Sequence, residues 1–189
     1  MTNDDTDKLL QQACTGNEDA LFTLYTEFKD AVFHFALSIT NDYHYSQDIL
    51  QDTFVKIRTG SYTSGNAKAY IFTITRNLAL SYIRSRGKNC DEDCMDSIAK
   101  ADDIGTNLEL WQALLSLEPI DRQIVLLHVL GGFKHYEISG LLSIPAGTVM
   151  WKYHRAISKL KNAMSERGNS NEKQKNIQLV KKSDSIHNA

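Results

Sequence analysis

The chain has 189 residues, 42% hydrophobic and 23% charged, enough for one ordinary domain or two small helical ones and too few for a larger multidomain enzyme. No apolar run approaches the roughly 20 residues that cross a bilayer, the start MTNDDTDKLLQQ is acidic where a secretory signal is basic and then apolar, and three unevenly spaced cysteines cannot build a disulfide framework, so a soluble, cytoplasmic protein without membrane insertion is expected. The formal charge of −2 conceals blocks of −8 (residues 1–52), +7 with no acid at all (53–90), −6 (91–109), −1 (110–147) and +6 (148–189), a segregation that suits two contacts with a polyanion, solvated helix faces being the plain alternative for either basic block alone.

Two prolines, ten glycines and few alternating β-branched runs predict an all-α chain. Leu21, Leu24, Phe28, Val32, Phe35 and Ile39 recur at steps of three and four and predict one amphipathic helix over 18–40, with Asn17 to cap it. Ile49, Leu50, Phe54 and Ile57 follow Ser46 as a second helix that ends near Arg58, where TGSYTSGN (59–66) breaks the pattern. From Ala67 a third helix carries Ile71, Ile74, Leu78 and Tyr82 on one face and Lys68, Arg76, Arg84 and Arg86 along its length. Residues 87–106 are acidic, poor in apolar residues and aperiodic, and read as a linker. Leu108, Trp111, Leu114, Leu115 and Leu117 predict a helix stopped at Glu118–Pro119. Helices from Asp121 to Leu130 and from Tyr136 to Leu142, a tight Ser143–Gly147 connection and a basic helix from Thr148 to about Met164 then give a helix-turn-helix layout. The expected division is two small helical domains, 1–88 and 108–165, joined by a flexible acidic linker, 89–107, and followed by a polar, unstructured tail, 166–189, with a brief helix at most around 177–180.

The helix-turn-helix is the strongest chemical signal. Ile138, Leu141, Leu142, Ile144, Val149, Tyr153, Ala156, Ile157 and Leu160 would pack inward. Thr148, Met150, Trp151, Lys152, His154, Arg155 and Lys159 would face outward, with several donors suited to base edges or phosphates in a major groove. The acid-free run around the third helix interleaves cations with Tyr62, Tyr70, Phe72 and Tyr82, as unstacked bases require, although Tyr82 and much of this aromatic content also fall on the inward stripe. Asp48 and Asp52, at i and i+4, suit docking on a basic partner better than magnesium binding. His34 reads as a boundary residue. Cys90 and Cys94 form a C-x3-C pair without two further ligands nearby, unless His128 or His135 folds onto it, so no metal and no cofactor is expected. No phosphate-cradling loop, nucleophile elbow or clustered carboxylate–histidine set supports an enzyme or a small-molecule substrate.

SQDILQDTFVKI (46–57) followed by AYIFTITRNLALSYIRSR (69–86) resembles region 2 of extracytoplasmic-function (group IV) RNA polymerase sigma factors, and residues 114–161 resemble their region 4, in the same order. The resemblance covers about residues 8–165. It implies that Asp48, Ile49, Gln51, Asp52, Phe54 and Lys56 dock on the RNA polymerase core, formed by the β and β′ subunits, through its clamp coiled coil. It further implies that the 59–66 loop with Tyr62, Asn66, Lys68, Tyr70, Thr73, Arg76 and Asn77 captures and melts the −10 element, and that the helix over Thr148–Lys161 reads the −35 element of promoter DNA. It implies an anti-sigma factor as a partner, and a linker whose Asp91, Glu92, Asp93 and Asp96 could mimic phosphates in the polymerase's RNA channel. The chain departs from the family pattern at Tyr70 (usually tryptophan), Ser81 (usually aspartate) and Met150-Trp151-Lys152 (usually a basic residue, serine and arginine), so its −35 sequence cannot be borrowed. An alternative sigma factor is therefore expected. The rival readings are an autonomous helix-turn-helix regulator and a sigma-like adaptor that binds no DNA.

Overall fold

The computed structural model describes residues 2–86 and 108–163, and all regular structure among them is α-helical. The helices are α1 (Asn3–Cys14), α2 (Glu18–Thr40), α3 (Tyr43–Thr59), α4 (Ala67–Arg86), α5 (Leu108–Leu115), α6 (Pro119–Val129), α7 (His135–Leu142) and α8 (146–163). The expected linker, its cysteines and the tail lie outside the described residues.

Helix α1 is an addition to the elements read from the sequence. Its low apolar content hides it, but Thr2 and Asp5 form a reciprocal capping box, each side chain accepting the other's backbone N–H at 3.2 Å. Thr6, Leu10 and Ala13 then bury one stripe at i, i+4 and i+7. Asn17 caps α2 as expected, its Oδ1 accepting the Ala20 N–H at 3.0 Å. Helix α3 starts four residues earlier than a helix following Ser46 would, because Asp42 is its cap (Oδ1 from Tyr45 N–H, 3.2 Å). Ser46 is an interior position whose hydroxyl meets the Asp42 carbonyl and Thr40 Oγ1 at 2.5 and 2.8 Å. Helix α5 ends at Leu115, three residues before the expected Glu118–Pro119 stop, and the pair instead starts the next helix, with proline at the first position of α6, where its missing N–H costs nothing.

Helix α2 organises the core. The expected single stripe is buried, but from Ala31 to Thr40 every residue except His34 is inaccessible. Two apolar clusters explain this: Leu24, Phe28, Val32, Phe35 and Ile39 pack with α1, α3 and α4, while Phe33 and Leu37 join Trp111, Leu114, Val125, Leu126 and Leu160. A helix buried on both sides loses its one-sided pattern. The C-terminal helices accordingly lie on the N-terminal ones, α6 against α2 and α7 against α4. Phe133 meets Phe72 edge-on at 5.1 Å, and Arg122 Nη1 donates to Asn41 Oδ1 at 2.6 Å.

Candidate nucleic-acid interface

Three surfaces carry the residues singled out in the sequence. On α3, Asp48, Gln51, Asp52 and Val55 form one exposed stripe at i, i+3, i+4 and i+7, with Lys56 beside it. Ile49 and Phe54 belong to the core instead, 5% and 6% exposed, because they point toward α2 and support the helix. Sequence reasoning missed Phe22 and Tyr25 on α2, 70% and 38% exposed. Tyr25 lies edge-on to Phe54 of α3 at 5.1 Å. Their signal is large apolar residues at the outward positions of an otherwise regular amphipathic helix.

The second surface is the 59–66 loop and the start of α4. Helix α1 holds the loop: Asp7 Oδ1 accepts both the Tyr62 hydroxyl and the Ala67 N–H at 2.8 Å, and Gln11 Nε2 donates to the Thr63 carbonyl. Burial, and then the Asp7 carboxylate, push the Tyr62 phenol well above its usual range, so it stays a donor. Tyr62 packs on Tyr70 at 5.2 Å, and Tyr70 occupies the position of the usual tryptophan as a half-buried ring. Asn66 caps α4 through Oδ1 (Ala69 N–H, 3.0 Å) while its Nδ2 donates to Glu137 Oε1 of α7 at 2.9 Å. Thr73 and Asn77 are exposed at i and i+4, and Lys68 and Arg76 are half-buried. Phe72 is no stacking platform: it is 1% exposed, between Phe35 and Phe133. Tyr82, at the other end of α4, lies against Tyr45 with centroids 4.0 Å apart.

The third surface is the outer face of α8. Val149, Ala156 and Leu160 are buried as the periodicity requires, and Met150, Trp151, His154 and Lys159 are exposed. Thr148 is half-buried at the start of the helix. Lys152 and Arg155 differ from the expected free cations. Lys152 Nζ lies 3.0 Å from Asp121 Oδ1, and Arg155 Nη2 lies 2.5 Å from Asp121 Oδ2 and 3.1 Å from Glu118 Oε2. Asp121 has no accessible surface. Burial alone would raise its pKa, but the hydrogen bonds from Arg155 and Lys152 outweigh it and hold the carboxyl below its usual range. Nearby, His128 and His135 stack at 4.7 Å, with Tyr153 edge-on to His128. His128 Nδ1 is 2.8 Å from the Phe133 carbonyl. Among the described residues no group of three or more His, Cys, Asp or Glu could hold a metal ion, and no helix is long and apolar enough to cross a membrane.

Comparison with known proteins adds the following. Residues 24–89 match the family model for sigma-70 region 2, and residues 107–160 that for sigma-70, region 4. The chain is similar to the ECF RNA polymerase sigma factor SigE of Mycolicibacterium smegmatis, 27% identical over 168 residues that span 80% of this chain and 65% of that protein. It is also similar to the ECF RNA polymerase sigma factor SigM of Bacillus subtilis, 26% identical over 159 residues, spanning 79% of this chain and 97% of SigM. Among solved structures, the fold is shared with the sigma factor RpoE in complex with the anti-sigma factor NepR from Bartonella quintana (TM-score 0.57, 22% identity, 76% of this chain and 95% of that one). It is shared as well with CnrH in complex with the cytosolic domain of CnrY (TM-score 0.58, 20% identity, 86% and 98%). Region 2 maps onto α2–α4 and region 4 onto α5–α8, in family order and over more than half of the chain, so this protein belongs to the extracytoplasmic-function sigma factors of the sigma-70 family.

Proposed function

We propose that this alternative sigma factor binds RNA polymerase core and directs promoter-specific initiation through the three surfaces just described. The α3 stripe of Asp48, Gln51, Asp52, Val55 and Lys56, widened by Phe22 and Tyr25, docks on the core. Ile49 and Phe54 support that surface from beneath. The 59–66 loop, with Tyr62, Asn66, Lys68, Tyr70, Thr73, Arg76 and Asn77, holds the opened −10 strand. Unstacking a base costs a few kcal/mol, which aromatic, amide and cationic groups at a fixed loop can offset. The outer face of α8, with Thr148, Met150, Trp151, His154 and Lys159, reads the −35 duplex, and Lys152 and Arg155 keep that helix in place through Asp121. RNA synthesis remains the polymerase's chemistry, and the protein acts in the cytoplasm where that enzyme works. An anti-sigma factor is a further partner, by likeness to RpoE bound to NepR.

One observation carries the reading: an exposed recognition helix occurs in the same chain as a separate exposed stripe on α3 that DNA binding alone does not require. An autonomous regulator needs only the first, an adaptor only the second. Transcription in vitro with purified core tests it. The expected result is promoter-specific transcripts that fall steeply with added salt and that a cognate anti-sigma factor silences. DNA retardation without core, and no transcripts with it, would favour the autonomous regulator instead.

A further inference from the structure

The surroundings of Trp151 are unusual for an exposed indole. It is 58% exposed at the centre of the outward α8 stripe, with Gly147, Met150, His154 and Ser158 exposed on the same side. One turn on, the Arg155 guanidinium carbon lies 4.7 Å from the centroid of its ring. That guanidinium cannot swing away. Its Nε and Nη2 donate to Asp121 Oδ2 at 3.2 and 2.5 Å, and Nη2 also reaches Glu118 Oε2 at 3.1 Å. Asp121 is in turn buried in α6 and engaged by Lys152. A buried carboxylate thus fixes a cation, and the cation covers one side of an aromatic plane.

A side chain fixed before binding loses little rotamer freedom when it docks. A flat apolar surface already in place on a recognition helix suits the one apolar feature of the major groove, the thymine 5-methyl group. Neutral Met150 beside it, 50% exposed, adds apolar surface.

We propose that Trp151 is a sequence-reading residue of the −35 contact, taking up a thymine methyl, and that Arg155, held by Asp121 and Glu118, is its positioning residue. This rests on the assignment of α8 as the −35 reader. Trp151 is then a specificity determinant of this sigma factor, and the promoters it selects carry a thymine at the contacted position.

The test uses holoenzyme formed from the full chain and core. Selection from duplexes randomised in the −35 segment should give a thymine-bearing sequence with wild type and lose that thymine with Trp151→Ala. Replacing the selected thymine by uracil removes only the methyl group. It should weaken wild-type binding about fourfold, the worth of one such group taken from water, and leave Trp151→Ala unaffected. Arg155→Lys keeps a cation but not the plane, and should diminish the uracil penalty while the thermal midpoint of the protein is followed in parallel. Equal uracil penalties in wild type and Trp151→Ala, or an unchanged selected sequence, would overturn the proposal. Absence of any −35 preference in the wild-type holoenzyme would instead remove the α8 assignment beneath it.

Discussion

Asp121 is the residue on which the second half of the molecule turns. A carboxylate without accessible surface is tolerable only while charged donors face it, and Lys152 and Arg155 supply them from α8. Removing it should cost more than an exposed ion pair is worth. Lys152 and Arg155 keep 18% and 28% of their side chains exposed and so can be partly rehydrated, which sets the expectation for Asp121→Ala at about 3 kcal/mol, the low end for breaking a buried pair. Urea unfolding followed by circular dichroism measures it, and a loss within the range of surface substitutions would contradict the role. The same pairing sets a pH dependence. Because the folded carboxyl titrates below its unfolded value of about 3.9, its contribution is complete above that value and disappears as pH falls through the folded one. Wild type should therefore lose stability between pH 4 and more acidic conditions by an amount absent in Asp121→Asn.

At the scale of elements, α1 supports the proposed −10 surface without belonging to it. Asp7 receives the Tyr62 hydroxyl and the first N–H of α4, and Gln11 reaches Thr63, so the loop proposed to hold an unstacked base is braced at several points. Asp7→Ala should destabilise the protein by about 2 kcal/mol, a typical loss for a hydrogen bond to a charged group. It should also reduce promoter opening, read as permanganate reactivity of unpaired thymines, while binding to a −35 duplex is unchanged. Equal loss of both activities would mean that α1 acts only on overall stability. That brace also marks the limit of what the sequence discloses. Helices with several large apolar residues and a breaker, such as Ala67–Arg86, are legible to the residue, whereas α1 is held by a cap and a stripe of only Thr6, Leu10 and Ala13 in a mostly polar segment. Phe54 lies on the apolar stripe that periodicity gives and is buried accordingly, its docking role having come from the resemblance alone, whereas Phe72 is core because Phe35 and Phe133 cover it, which depends on packing between distant segments. Lys152 and Arg155 read correctly as a basic face, but their engagement by Asp121 and Glu118, more than 30 residues away, carries no local signature.

For the whole molecule, the packing of region 4 on region 2 conflicts with simultaneous use of both proposed DNA surfaces. Elements named for positions −10 and −35 are separated by about 25 base pairs, which at 3.4 Å per pair is about 85 Å of duplex. A globule of this size has a radius of gyration of only about 15 Å. On the proposed assignment of the two DNA surfaces, the closed arrangement, in which Glu137 holds Asn66, Phe133 covers Phe72 and Asn41 binds Arg122, opens before both elements are engaged. A ligand-free closed form lowers apparent affinity by the fraction of molecules that are open, so weakening a closing contact should tighten promoter binding. Asn41 allows this to be tested with little collateral damage. It caps α2 in the left-handed region, φ 51°, which glycine adopts more easily still. Asn41→Gly thus retains the backbone and deletes the acceptor for a buried guanidinium, a loss of about 1.5 kcal/mol or roughly tenfold in the closing equilibrium. Small-angle scattering of the free variant should give a larger radius of gyration than wild type, and its apparent affinity for core plus promoter should rise by up to the same factor. An unchanged radius with weakened promoter binding would mean that the Arg122–Asn41 contact supports the active arrangement and that opening does not proceed through it.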